Sequence, residues 1–553
     1  MKKAMFLFVF CLAALWLAAQ SPEWLWAKQA GGTGWDEGRD IATDSNGNSY
    51  VTGLFSGTAT FGSTTLTSNG DSDIFITKLD NSGNYLWVKQ AGGVDREKGA
   101  SIAIDSCGNC YVTGSFRGPA TFGGITLTSN GYTAMFIAKL DTYGNWLWAK
   151  QADETNGDEG YNITTDSNEN CYVTGVFSGT ATFGSTTLIS SGWKDVFVAK
   201  LDTNGSWLWV KQAGSEESDY GHGIATDCNG NGYVTGWCHG TASFGSTTLS
   251  NSEGGIFIAK LDTNGNWLWV KQAGGSEGDY AYSITTDSSG NIYVIGGFAG
   301  VAPFGNNTLT SSGGIDIFIA KLDIQGNWLW VSKAGGTSGD YGYDIATDSS
   351  GNSYLTGIFE GTASFGNTTL ASSGGIDVFI AKLDAKGNWL WTTPAEGTGE
   401  DYGYGIAFDS SGNIYVTGMF YGFATFGKTL ITSFSDYETD IFIAKLSSTT
   451  DVSDEYGVPQ ANFSLGQNHP NPFTASTSFS LEVSDAKSVY EVAIYDLRGR
   501  HICTLHQGVL PKGERIFTWN GKDAAENQLA SGVYFYRVTS GTASQVKKMI
   551  YVR

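Results

Sequence analysis

The chain is 553 residues long, 41% apolar and only 16% charged, which is enough apolar material for a large core and argues against disorder. A formal net charge of −22 argues against a nucleic-acid partner, whose phosphates such a surface would repel. With 76 Gly, 8 Pro and no three-residue Gly period, the composition indicates many tight turns between short strands rather than a collagen-like chain.

The first twenty residues have their own explanation. Lys2 and Lys3 precede the apolar run AMFLFVFCLAALWLAA, and small residues stand before Gln20. This reads as a secretory signal peptide over 1–20; a retained anchor is the alternative, although the apolar run is short for a spanning helix. The mature chain is therefore expected to be exported, with no transmembrane segment. Six cysteines remain beyond the signal, too few for a dense disulfide framework in so long a chain.

From 21 to 446 the chain repeats itself. A Lys-Leu pair recurs at Lys78, Lys139, Lys200, Lys260, Lys321, Lys382 and Lys445, close to every 61 residues. Each copy holds four runs rich in β-branched and aromatic residues, here named A to D. In the sixth copy they are YDIATD (343–348), NSYLTGIF (352–359), DVFIAKLD (377–384) and NWLWTT (388–393). DSSGN joins A to B and KGN joins C to D, both with hairpin chemistry.

Four antiparallel strands per repeat describe a propeller blade, and seven copies describe a closed ring. The expected fold class is all-β: a seven-bladed β-propeller followed by a small Ig-like β-sandwich. An orphan D run, WLWAKQA (24–30), precedes the first copy, and the seventh copy ends after its C run at Leu446. The N-terminal strand is thus expected to complete the last blade and remove the open sheet edges. A right-handed β-solenoid is the competing repeat fold, but it gives no reason for the displaced strand. The pattern WLWVKQAGG, IATDSSGNIYVTG and FIAKLD resembles the bacterial SBBP (seven-bladed beta-propeller) repeat family. That resemblance implies the fold and a secreted location, but no one reaction.

A polar linker over 447–457 leads to a tail over 458–553, which carries ten Lys or Arg against seven Asp or Glu. Its runs NFSLGQNHPNPF, EVAIYDLRGR, FTWNGKD, GVYFYRV and KKMIYVR alternate between strand and turn residues. In this order they resemble the type A C-terminal sorting domain of the type IX secretion system, with an Ig-like fold akin to flagellar hook-capping protein. His469 stands where that family usually has Tyr. The resemblance implies type IX secretion machinery as a partner, and a location that is secreted or at the outer cell surface of a Bacteroidota-like bacterium.

Two kinds of candidate site follow. Five residues before each A-strand Ile stands a carboxylate: Asp36, Glu97, Asp158, Asp219, Asp279, Asp340 and Asp401. Tyr220, Tyr280, Tyr341 and Tyr402 follow four of them. Such a ring is suited to sugar hydroxyls and faces or to cations, Ca²⁺ included, and equally to fastening one blade to the next. The second kind is a departure from the repeat: His222, His239 and Cys238 in blade four are suited to a metal or an acid–base pair. The ligand-binding candidates are therefore Asp219, Tyr220, His222, His239, Asp279, Tyr280, Asp340, Tyr341, Asp401 and Tyr402. The A–B turns resemble a clipped calcium loop, yet hairpin chemistry already accounts for them.

No catalytic residue and no cofactor is assigned. The expected function is that of an exported, surface-attached and monomeric binding or adhesion module for glycan or protein ligands. A polysaccharide-degrading enzyme using two loop carboxylates, and a purely structural surface-layer protein, are the alternatives.

Overall fold

Every A–B turn is closed by its own aspartate. In blade six the Asp348 carboxylate accepts from the backbone N–H groups of Ser350 and Asn352, both at 2.9 Å, and Gly351 takes φ +78°. Asp384 repeats this at the C–D turn. These turns spend the aspartate oxygens on backbone donors, as hairpins do, and the expected structural reading of them holds.

The computed structural model describes residues 22–447 apart from 155, 276–277 and 436–437, and residues 463–553 apart from 497–498 and 541–542. The expected signal peptide over 1–20 and nearly all of the linker over 447–457 lie outside the described residues. Among the described residues no helix is long and apolar enough to cross a membrane.

Seven innermost strands line a central channel: Glu37–Thr43, Lys98–Ile104, Glu159–Thr165, Tyr220–Thr226, Tyr280–Thr286, Tyr341–Thr347 and Tyr402–Phe408. Each touches the next, and the seventh touches the first. The orphan strand Trp24–Gly32 pairs antiparallel with Asp440–Leu446, with Trp24 opposite Leu446 and Ala30 opposite Ile441. It is strand D of blade seven, so the ring is clasped as expected.

Strand C reads as a continuous apolar run because blades cover both of its faces. All seven residues of Asp440–Leu446 are buried. The one cation in that run is neutralised locally: Lys445 Nζ lies 3.5 Å from Asp409 and 4.7 Å from the Tyr415 ring centroid. The Tyr415 hydroxyl then donates to Gly47 O of blade one at 2.8 Å. Analogous Lys–Tyr contacts occur in all seven blades. The second Trp of WLW is a further clasp, as where Trp330 Nε1 donates to Ala385 O of blade six at 3.1 Å.

The B–C connections depart from expectation. They are β-hairpins rather than open loops: in blade six Ser353–Phe365 and Thr368–Leu383 stay paired out to Phe365 opposite Thr368. The far end of that hairpin pairs with strand D of blade five, Ala334 opposite Phe365. The Phe and Thr residues of ASFGNTTL supply this extra ladder, which straps each blade to its predecessor.

The tail forms two packed sheets, one of Phe463–Leu465, Thr477–Val483 and Gly513–Trp519, the other of His501–Val509, Val489–Asp496, Gly532–Ser540 and Ala543–Tyr551. Phe479 and Tyr536 stack between them at 4.0 Å. Phe423, on the blade-seven hairpin, packs edge-on against Tyr495 at 6.1 Å.

Candidate functional site

The A strands open the channel with two different arcs. Successive side chains alternate across a strand, so the first and third residues share a face. In blades four to seven the first residues are Tyr220, Tyr280, Tyr341 and Tyr402, and the third are His222, Tyr282, Tyr343 and Tyr404; blade three adds Tyr161.

The rings form one unbroken contact chain. Tyr161 stacks on His222 at 5.5 Å, His222 meets Tyr282 at 5.7 Å, Tyr282 meets Tyr343 at 5.4 Å and Tyr343 meets Tyr404 at 5.6 Å. Within blades, Tyr220 lies parallel to His222 at 5.8 Å, and Tyr341 parallel to Tyr343 at 6.1 Å. Trp237 bridges Tyr220 and Tyr280 at 6.0 and 5.9 Å, and His239 packs on Trp237 at 5.9 Å. All of these rings are half-buried. The buried Trp237 Nε1 has no hydrogen-bond partner among the described residues.

Burial lowers the His222 pKa to about 4, so the imidazole is neutral at ordinary pH. Burial raises the phenols of Tyr161, Tyr282, Tyr343 and Tyr404 far above the usual range.

The remaining arc is charged. Glu37 pairs with Arg39, Lys98 lies 3.8 Å from Glu159, and Lys194 lies 3.9 Å from the same carboxylate. The arcs meet where the Arg39 guanidinium covers the Tyr404 ring at 4.6 Å.

Deeper in the channel the fourth residue of each A strand is polar or Gly. Asp40 accepts from Ser101 Oγ at 2.6 Å and from Ile102 N at 2.8 Å; Asp344 accepts from Ser283 Oγ at 2.7 Å and Ile406 N at 2.8 Å. Between these two blades stands Gly405, whose missing Cβ would lie 3.2 Å from Asp40 Oδ1. Burial lifts Asp40 to about 6, while burial and then the Asp40 charge lift Asp344 to about 7.

The sequence candidates separate under this geometry. Asp219, Asp279, Asp340 and Asp401 are at most 1% exposed and grip backbone. Asp340 accepts from Gly336 N at 2.7 Å and Glu360 N at 3.1 Å, joining strand D of blade five to strand B of blade six. Asp219 does the same with Ser215 N and His239 N at 2.6 and 3.1 Å. These four carboxylates are blade fasteners and do not reach the mouth. Tyr220, Tyr280, Tyr341, Tyr402 and His222 do.

The grouping of His222, His239 and Cys238 as one metal or acid–base site is corrected. Cys238 alternates to the opposite side of its strand from His239 and is 1% exposed in the core. Among the described residues no three His, Cys, Asp or Glu gather to hold a metal. Sequence reasoning missed Tyr161, Tyr282, Tyr343, Tyr404 and Trp237, although the two-residue period within GDYGY places its second Tyr beside the first. It also missed Asp40 and Asp344, which stand where other blades carry Ser, Asn or Gly. On the opposite face a polar cavity of about 430 Å³ lies between blades one and two, lined by Asp44, Lys78, Asp105 and Cys107.

Comparison with known proteins agrees with this architecture. Residues 25–54, 208–242, 268–296, 329–357 and 390–419 match the Beta-propeller repeat, and residues 468–544 match the FlgD Ig-like domain. The chain is similar to the Uncharacterized WD repeat-containing protein L264 of Acanthamoeba polyphaga mimivirus, 25% identical over 501 residues, covering 72% of this chain and 36% of that protein. It is also similar to the Regulatory protein FlaEY of Caulobacter vibrioides, 26% identical over 319 residues, covering 52% and 33%. The chain thus spans about a third of the length of these relatives. Among solved structures, YCF48 bound to D1 peptide aligns over 79% of this chain and 98% of its own, at 10% identity and a TM-score of 0.38. The chain thus carries beta-propeller repeats in an all-β propeller fold, followed by a C-terminal segment that matches the FlgD Ig-like domain.

Proposed function

We propose that this protein is an exported binding or adhesion module whose ligand surface is the aromatic arc of the channel mouth. The class of ligand is one with flat, partly apolar faces: sugar rings, or aromatic side chains of a protein. One observation carries the reading. The chain of rings from Tyr161 to Tyr404 spans only blades three to seven, so blade packing, which is sevenfold, does not require it. The unpartnered indole N–H of Trp237 adds a donor at the same place.

Glycan and peptide arrays probed with the full chain test it. Tyr343→Ala with Tyr404→Ala should weaken any hit at least about fivefold, since each lost ring contact is worth about 0.5–1.5 kcal/mol. Unchanged binding in that double variant, with the fold intact, overturns the site.

The signal-like N-terminus and the five ordered motifs of 458–553 support export through a type IX route to the cell surface. A reporter fused to 458–553 should reach the surface of a type IX-competent bacterium and stay cell-associated inside a mutant lacking that system.

The carboxyl pair Asp40 and Asp344 at the channel waist favours a second reading, polysaccharide cleavage. A reducing-end assay on mixed polysaccharides decides it: activity lost in Asp344→Asn favours the enzyme, and no activity in the native chain removes it.

A further inference from the structure

Five of the seven blade junctions bury two carboxyl groups side by side. One is the fastener before strand A; the other is the Asp that opens strand C of the preceding blade. The pairs are Asp36 with Asp440, Glu97 with Asp73, Asp219 with Asp195, Asp340 with Asp316, and Asp401 with Asp377, and no member is more than 1% exposed. At the other two junctions strand C opens on Ala134 or Gly255, and the second carboxyl is missing.

Each pair leaves one buried oxygen with no hydrogen-bond partner: Asp440 Oδ1, Glu97 Oε1, Asp195 Oδ1, Asp316 Oδ1 and Asp401 Oδ2. The other oxygens are occupied. Asp36 accepts from Gly32 N at 2.7 Å and Ser56 N at 3.1 Å, and Asp440 Oδ2 accepts from Phe434 N at 2.8 Å and Gln29 Nε2 at 2.5 Å. At two junctions the orphan and its partner converge on one point beside a glycine. A Cβ on Gly31 would lie 2.5 Å from Asp440 Oδ1 and 2.9 Å from Asp36 Oδ2; one on Gly335 would lie 2.7 Å from Asp316 Oδ1 and 3.0 Å from Asp340 Oδ2.

Two adjacent buried anions, one with an unmet acceptor, are strongly unfavourable. A calcium ion does not fit as the remedy, because it takes six to eight oxygens and each pair has most of its own already spent on N–H donors. A single proton removes one charge and gives the orphan oxygen its hydrogen bond.

We propose that each of these five pairs is a carboxylic acid hydrogen-bonded to a carboxylate, one proton per junction, and that this proton fastens neighbouring blades. The surroundings add little competing charge. Glu438 acts on Asp36, Asp95 on Glu97, Glu360 on Asp340 and Glu396 on Asp377; among the described residues Lys333, 3.4 Å from Asp316, is the one cation in ion-pair contact with these pairs. Burial, the largest cause, lifts Asp36 to about 8, Glu97, Asp340 and Asp440 to about 7, and Asp219 to about 6. Raised values mean the folded chain binds these protons more tightly than the unfolded one. Their contribution is complete below the ordinary carboxylate range and is lost as pH climbs to about 8, up to tenfold in the folding constant per pH unit per junction.

Infrared difference spectra of the full chain read the proton directly. The native protein should show a carboxylic-acid C=O band at pH 6 that shifts in D₂O and fades by pH 9.5. Asp→Asn changes at Asp73, Asp195, Asp316, Asp377 and Asp440, made one at a time, should each remove part of that band and flatten the fall in melting temperature between pH 5 and pH 8. A native protein with no such band at pH 6 overturns the proposal without any variant having to fold. So does millimolar calcium restoring the pH 5 melting temperature at pH 8.

Discussion

Gln29 Nε2 lies 2.5 Å from the Asp440 carboxylate, although 411 residues of chain separate them. The contact sits in the ladder by which the first described strand completes the last blade, so the two ends of the repeat array share one sheet. Trp24 anchors the outer end of that ladder, edge-on to Phe426 at 4.9 Å. Trp24→Ala should cost about 2 kcal/mol, read as a lower midpoint in a denaturant titration. Deleting 22–32 should abolish the single cooperative transition, and a permutant that carries the same strand after Leu446 should restore it.

Buried and exposed ion pairs should respond very differently. Lys445 and Asp409 are each 3% exposed in their side chains, 3.5 Å apart. Lys445→Ala strands the Asp409 charge in the core and should cost about 3–5 kcal/mol. Lys522→Ala, at the surface pair with Glu526, should shift the unfolding midpoint by less than about 0.5 kcal/mol.

The channel pair carries a pH signature of its own. Asp40 and Asp344 are raised to about 6 and about 7, so both are ionised and repel one another at pH 8, while at pH 5 they are mostly protonated. Asp344→Asn should therefore raise the melting temperature more at pH 8 than at pH 5. His222, lowered to about 4, stays neutral in the folded chain, while the unfolded imidazole takes up a proton below about 6.5. It adds a rise in stability from pH 5 to about 6.5 that the native chain and the variant share and that cancels in their difference.

Thiol reactivity should divide the cysteines cleanly. Cys107 and Cys228 are exposed, while Cys110, Cys171, Cys238 and Cys503 are buried, and all six are free. Brief alkylation of the native protein at pH 8 should label the first two alone, as peptide mass mapping would show. Cys107 should label more slowly than Cys228, because its bond to the Glu169 carboxylate raises its pKa.

Much of the fold was legible because each blade repeats one solution. Period-two apolar runs, Asp-x-x-Gly-Asn turns and a displaced D strand are local signals, and they gave blade number, strand order and the closing strand. The B–C hairpins were not read, because ASFGNTTL is short, polar and only half-buried, and it becomes strand through pairing with the neighbouring blade. The site was legible in half. The Asp–Tyr pairs were found as a unit, yet the backbone turns the Asp inward to a fastener and leaves the Tyr at the mouth. Asp40 and Asp344 were hidden because their significance lies in meeting around the channel, which no linear spacing displays.

A clasp built from the first strand imposes an order on biogenesis. Trp24–Gly32 is made before every other propeller strand described, and its partner Asp440–Leu446 is the last of them. Until then the first strand lacks its ladder partner and the circle stays open, so the ring cannot close before Asp440–Leu446 has been made. A chain cut short before Asp440 would leave Trp24–Gly32 with no ladder to join, so the fastening of the whole circle waits on one seven-residue segment.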